Sequence, residues 1–179
     1  ILGTSLMTQD DETEYETANE TGKTDGIRIK NALAENTVEK AAQACIDEEL
    51  TGCTYVFDSE TCYLIEACIQ DGKYVYDMEE IKKDTYSART NHGIWLPWAS
   101  FQRKDGDKQQ TLDRISSEAR FLQAQYVVEN AEKPEDLVDG LCRINTTHPQ
   151  LNIMRMSTGK DEFRTTSQEL CVPSERTLY

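Results

Sequence analysis

A chain of 179 residues with 37% hydrophobic and 29% charged side chains can bury the core of one ordinary globular domain and leaves little room for a second. Its formal charge of -14 and pI near 4.5 argue against non-specific nucleic-acid binding, because no basic face is there to release counterions from a polyanion. No apolar run approaches the roughly 18 residues that a membrane span needs, so neither nucleic acid nor membrane is expected as a partner.

In chain order, Ile1 to Met7 lacks the basic flank and length of a signal peptide. Residues 8–26, TQDDETEYETANETGKTDG, carry almost no large apolar side chain to offset the entropy of ordering. The whole of 1–35 is expected as an acidic, flexible linker or loop, with 36–179 as the structured unit. Asp10, Asp11 and Glu12 lack the spacing of a calcium loop, and no metal is expected.

From Asn36 the pattern becomes helical: Val38, Ala41, Ala42, Cys45, Ile46 and Leu50 share a face, Asn36 and Glu39 resemble a capping pair, and Gly52 closes the element. CTYVFDSETCYLIEAC and DGKYVYDM then alternate Tyr, Val, Phe and Ile between DSE and QDG turns, which predicts an antiparallel meander. TYSARTNHG reads as a further strand ending in a turn, followed by the aromatic loop GIWLPWASFQ. A helix over TLDRISSEARFLQAQYVVENA is predicted to bury the stripe Leu112, Ile115, Ala119, Leu122 and Tyr126. A short helix follows with Pro134 in its first turn. NIMRMST and FRTTSQELCV are expected to pair as a final hairpin around Thr158 to Asp161, stopped by Pro173. The predicted class is α+β without internal repeat.

Six cysteines without a CxxC pair give no support to a zinc ribbon or a thioredoxin-like motif. Most read as small core residues. Cys53 and Cys62 flank a hairpin and would form a disulfide in a secreted protein or stay thiols in a reducing compartment.

Two of these segments carry a likeness to a known family. ARTNHG, Ala88 to Gly93, ends a strand behind the hairpin Thr54 to Cys68, and SSEARFLQAQY, Ser116 to Tyr126, opens a helix. Together they resemble the N-terminal-nucleophile (Ntn) amidohydrolases of the choloylglycine hydrolase and penicillin acyltransferase type. RTTSQELC, Arg164 to Cys171, is a weaker third match, and the likeness runs from about Thr37 to the end. It implies part of an αββα sandwich of two antiparallel sheets between helix layers, and cofactor-free hydrolysis of a linear amide C–N bond by an N-terminal cysteine. The substrate would be an N-acyl amino acid, a bile-salt-like conjugate or a β-lactam side chain; acyl transfer and a dipeptidase share the same mechanism.

By the same likeness Asn91 would donate to the oxyanion and Arg120 would depress the thiol pKa. None of the six cysteines can pair with its own α-amine, so the nucleophile is expected on a missing N-terminal segment or a partner chain, and this chain alone is expected to be inactive. Such a piece would expose a sheet edge and apolar surface, from which poor solubility or a homo-oligomer is expected.

Each assignment competes with an ordinary structural role. An Asn at a strand end is commonly a turn residue. Arg120 has Glu118 and Glu129 nearby as salt-bridge partners. His92 reads as loop support rather than as a base. Trp95, Trp98 and Phe101 would line an acyl pocket, with packing on the sheet an equal alternative. The contrasting function is a non-catalytic domain that keeps the fold and binds a ligand or protein through the Trp95 to Phe101 loop.

Overall fold

The computed structural model describes residues 2–5, 24–83, 85–97, 108–143, 145–148, 151–153, 171–172 and 177–178. The alternating stretch after residue 51 forms the expected meander. β1 (Leu2–Ser5), β2 (Gly52–Phe57), β3 (Cys62–Gln70) and β4 (Lys73–Glu80) lie side by side in that order, each neighbouring pair antiparallel. The two-residue turn between β3 and β4 uses Asp71 at φ 51° and Gly72 at φ 71°, the left-handed pair that matches the twist of a hairpin. Between β2 and β3, the Asp58 carboxylate accepts the N–H groups of Glu60 and Thr61 at 2.8 and 2.9 Å, closing the turn from within.

Two helices cover one face of this sheet. α1 (Asp25–Leu33) and α2 (Val38–Asp47) bury Ala32, Ala41, Ala42, Cys45 and Ile46 against Leu50, Val56, Ile65 and Ala67. Alanine dominates the helix side of the contact, so the backbone of α2 can approach the sheet closely. The cap of α2 is Thr37, whose hydroxyl accepts from the Lys40 N–H at 3.3 Å, one residue beyond the expected Asn36. Gly52, at φ 104°, opens β2 and does not close α2; Glu49, at φ 54°, is where the chain leaves the helix. Arg28, only 6% exposed, donates from Nη1 to the Glu49 carbonyl and ties α1 to the end of α2.

The expected boundary at Asn36 is therefore not a structural one. β1 is an edge strand of the main sheet, and α1 contributes the fully buried Ala32. Four apolar residues, Ile27, Ile29, Ala32 and Leu33, follow the acidic tract, whose charge dominates the composition of residues 1–35. Most of that tract, residues 6–23, lies outside the described residues.

The opposite sheet face carries Cys53, Leu64, Glu66 and Cys68, all 0–1% exposed, beneath the segment 85–97 and near α3 (Lys108–Asn130). Residues 85–91 are not a strand: among the described residues they join no ladder, and side-chain hydrogen bonds hold them. The stripe assigned to the core side of α3 is also a correction. Leu112, Ile115, Leu122 and Tyr126 are 52–65% exposed, while Ser116 and Ser117 turn inward. The polar groups of residues 90–92 need partners, and Ser117 supplies them; that requirement outweighs the apolar periodicity in setting the rotation of the helix.

α4 (Pro134–Leu141) begins with its proline as expected, and Asp136 accepts the N–H groups of Glu132 and Lys133 just before it. A two-stranded sheet pairs β5 (Cys171–Val172) with β6 (Thr177–Leu178). The hairpin expected around Thr158 to Asp161 lies outside the described residues. The architecture is α+β, and no described helix is long and apolar enough to cross a membrane.

Ile65 sits at the centre of the helix-covered face with 1% exposure. Ile65→Ala is expected to cost about 2–5 kcal/mol, and Leu122→Ala on the exposed stripe less than about 0.5 kcal/mol; urea midpoints of the two variants measure the difference.

Candidate functional site

A carboxylate in the middle of an apolar strand organises the second sheet face. Glu66 on β3 is 0% exposed and accepts from the Arg89 Nε–H at 2.6 Å. The same carboxylate receives three successive backbone N–H groups: Ile94 at 2.9 Å, Trp95 at 2.8 Å and Leu96 at 3.2 Å. A cation and a nest of amides together replace the water that a buried carboxylate loses. Gly93 is required at the head of this nest, because a Cβ there would stand 2.3 Å from the Leu96 carbonyl oxygen. Arg89 also donates to Ser87 Oγ at 3.2 Å and to the Ala88 carbonyl at 2.8 Å, and its guanidinium lies 4.6 Å from the Trp95 ring centroid.

Above this layer α3 is latched to residues 90–92. The Thr90 hydroxyl donates to the Ser117 carbonyl at 3.0 Å, and the Ser117 hydroxyl donates to Thr90 Oγ1 at 3.0 Å. Ser117 Oγ in turn accepts the Asn91 N–H at 2.9 Å. His92 Nδ1 joins the same cluster, 2.8 Å from Ser117 Oγ and 3.1 Å from Thr90 Oγ1, donating or accepting according to its tautomer. The His92 ring stands edge-on to Phe121, centroids 5.7 Å apart, and burial holds its pKa below the ordinary value, so the imidazole is neutral at pH 7.

The two residues singled out by the family likeness meet at this latch. Arg120 Nη2 donates to Asn91 Oδ1 at 2.9 Å. A guanidinium has no acceptor, so the carboxamide must turn its oxygen to Arg120 and its N–H edge elsewhere. The competing salt-bridge partners are otherwise engaged: Glu118 pairs with Arg114 at 2.7 Å, and Glu129 accepts the Tyr86 hydroxyl at 2.8 Å. Of the three aromatics, Trp95 is half-buried over Arg89, whereas Trp98 and Phe101 lie outside the described residues.

Beyond Ser87, whose Oγ is 3.2 Å from the Tyr55 hydroxyl, an open cleft of about 550 Å³ is lined by Tyr55, Phe57, Cys62 and Ile81, with Lys82 and Lys83 among its polar lining. Cys45, Cys53, Cys62, Cys68 and Cys142 form no disulfide with one another. Burial pushes the Cys45 thiol up to about 11 and raises those of Cys62 and Cys68, which makes them poor nucleophiles. No group of three or more His, Cys, Asp or Glu suited to a metal occurs among the described residues.

Glu66, Arg89, Thr90 and Ser117 were not singled out from the sequence. A single acid inside YLIEAC, with apolar neighbours on both sides, is the one signal that pointed to a buried carboxylate.

Ser117→Ala removes the acceptor of the Asn91 N–H and is expected to cost about 1–3 kcal/mol in a denaturant titration. Because the His92 pKa is lowered in the folded state, the unfolded chain takes up the proton first as pH falls through about 6.5. Stability is therefore expected to drop from pH 7 to pH 5, and His92→Gln to remove the part of that slope which is due to the imidazole. No family model, no curated protein and no solved structure matches this chain, so its functional reading rests on the geometry of this site and on the two motifs that meet there.

Proposed function

We propose that this chain is part of a hydrolase of linear amide C–N bonds of the Ntn type, related in plan to the choloylglycine hydrolases and penicillin acyltransferases. The observation that carries the reading is the 2.9 Å contact between Asn91 and Arg120, which joins the ARTNHG and SSEARF segments, 29 residues apart, at one point. Asn91 acts as an oxyanion donor: its oxygen is fixed on the guanidinium, and its N–H edge is thereby oriented without reorganisation during the reaction. Arg120 contributes a permanent positive charge that favours a thiolate close by. The reaction needs no cofactor.

The nucleophile in this reading is a cysteine whose own α-amine is the base, supplied by a segment or partner chain outside these 179 residues. It attacks the amide carbonyl, the oxyanion collapses with expulsion of the amine, and water releases the acyl group. An N-acyl amino acid or a bile-salt-like conjugate is the substrate class, with Trp95, Trp98 and Phe101 as candidate walls for its apolar part. The α+β class of the chain, an antiparallel sheet with α1 and α2 packed on one face, is the general class to which such a sandwich belongs.

The test uses the intact protein that contains this chain, assayed for release of free amine from N-acyl amino acids. Asn91→Ala is expected to lower kcat by about 100- to 1,000-fold with little change in KM. Arg120→Met is expected to shift the acidic limb of the kcat/KM profile to higher pH, since the thiol loses its neighbouring cation. Activity undiminished in Asn91→Ala would remove this site from the chemistry, and an intact wild-type protein that releases no amine would leave the non-catalytic binding domain in its place.

A further inference from the structure

The loop that carries Asn91 is gripped at both ends by one side chain. Glu66 Oε1 holds Arg89, two residues before Asn91, and Oε2 holds the N–H groups of Trp95 and Leu96, four and five residues after it. The Ile94 N–H reaches both oxygens, at 3.1 and 2.9 Å. Between these grips residues 90–92 rise off the sheet to Ser117, so Asn91 stands at the apex of a loop whose two feet share a single fully buried carboxylate.

We propose that Glu66 is a positioning residue: its ionised carboxylate clamps the Arg89–Leu96 loop and so sets where the Asn91 carboxamide points. The inference rests on the amide-hydrolase reading for its catalytic consequence, but the clamp itself is a property of this chain. Charge and symmetry are both needed. Every group facing Glu66 here is a donor, and both oxygens are used; a carboxamide in either orientation would set an NH2 group against at least one of these N–H groups and leave Arg89 without its counter-ion. Glutamine, nearly the same in shape, is therefore not equivalent. An ordinary structural glutamate on a sheet would tolerate that exchange.

Amide hydrogen exchange on this chain reads the clamp, and kinetics on the intact protein read its consequence. In Glu66→Gln the amides of Ile94, Trp95 and Leu96 are expected to exchange about tenfold faster or more, while β2–β3 ladder amides such as Leu64 and Tyr55 stay within about twofold. In the intact protein kcat is expected to fall about 100-fold with KM within about threefold, because a displaced donor weakens the transition state rather than substrate binding. Loop amides that keep their protection in Glu66→Gln overturn the clamp, and loop amides that open with kcat unchanged overturn its positioning role. If Glu66→Gln does not fold, Arg89→Met decides: it frees one foot, so Asn91 N–H exchange is expected to rise about tenfold with Ile94 to Leu96 still protected, and unchanged Asn91 exchange contradicts the proposal. An intact wild-type protein that cleaves no N-acyl amino acid counts against the hydrolase reading alone, since the exchange experiment reads the clamp independently of activity.

Discussion

The arrangement of the second sheet face depends on the cost of burying a carboxylate. Glu66 sits at the centre of the sheet with no exposed surface, and such a group persists in ionised form only where charge and hydrogen bonds replace its lost water. Arg89 and the three amides from Ile94 to Leu96 provide that replacement. Once they do, the course of the chain from Arg89 to Leu96 follows, including the tight turn at Gly93 that only a residue without a Cβ can make.

A second constraint works outward from the first. With its feet on Glu66, the loop raises Thr90, Asn91 and His92 toward α3, and their polar groups are satisfied by Ser117 and Arg120. That satisfaction fixes the rotation of α3 and turns Leu112, Ile115, Leu122 and Tyr126 outward. Polar satisfaction in a small buried volume thus decides the orientation of a 23-residue helix against its apolar pattern. The same contacts leave a carboxamide with a defined donor edge beside a fixed cation, the pairing that the proposed amide chemistry uses.

Those elements whose signal is local were legible in the sequence. α2 follows from Val38, Ala41, Ala42, Cys45 and Ile46, the hairpin from Asp71 and Gly72, and α4 from Pro134. What depends on non-local polar contacts was not. The segment 85–91 has strand-forming residues but no ladder partner among the described residues, and its geometry comes from Glu66 and Ser117, about 20 to 30 residues away on either side. α1 was lost behind the charge of the acidic tract. In the site, Asn91 and Arg120 were reached through motif likeness, and their contact through space is what the coordinates add. Glu66 was visible only as an isolated acid among apolar neighbours, a pattern that identifies a buried charge without naming its partners.

Intact-mass spectrometry of the protein isolated from its source, acid-quenched during turnover of an N-acyl amino acid, decides whether Asn91 and Arg120 serve acyl transfer to a cysteine. The expected result is a mass increase equal to the acyl group, located by fragmentation on a cysteine that is the first residue of its chain. Turnover without an adduct in Asn91→Ala as well as wild type, or an adduct on an internal residue such as Cys62, would contradict it.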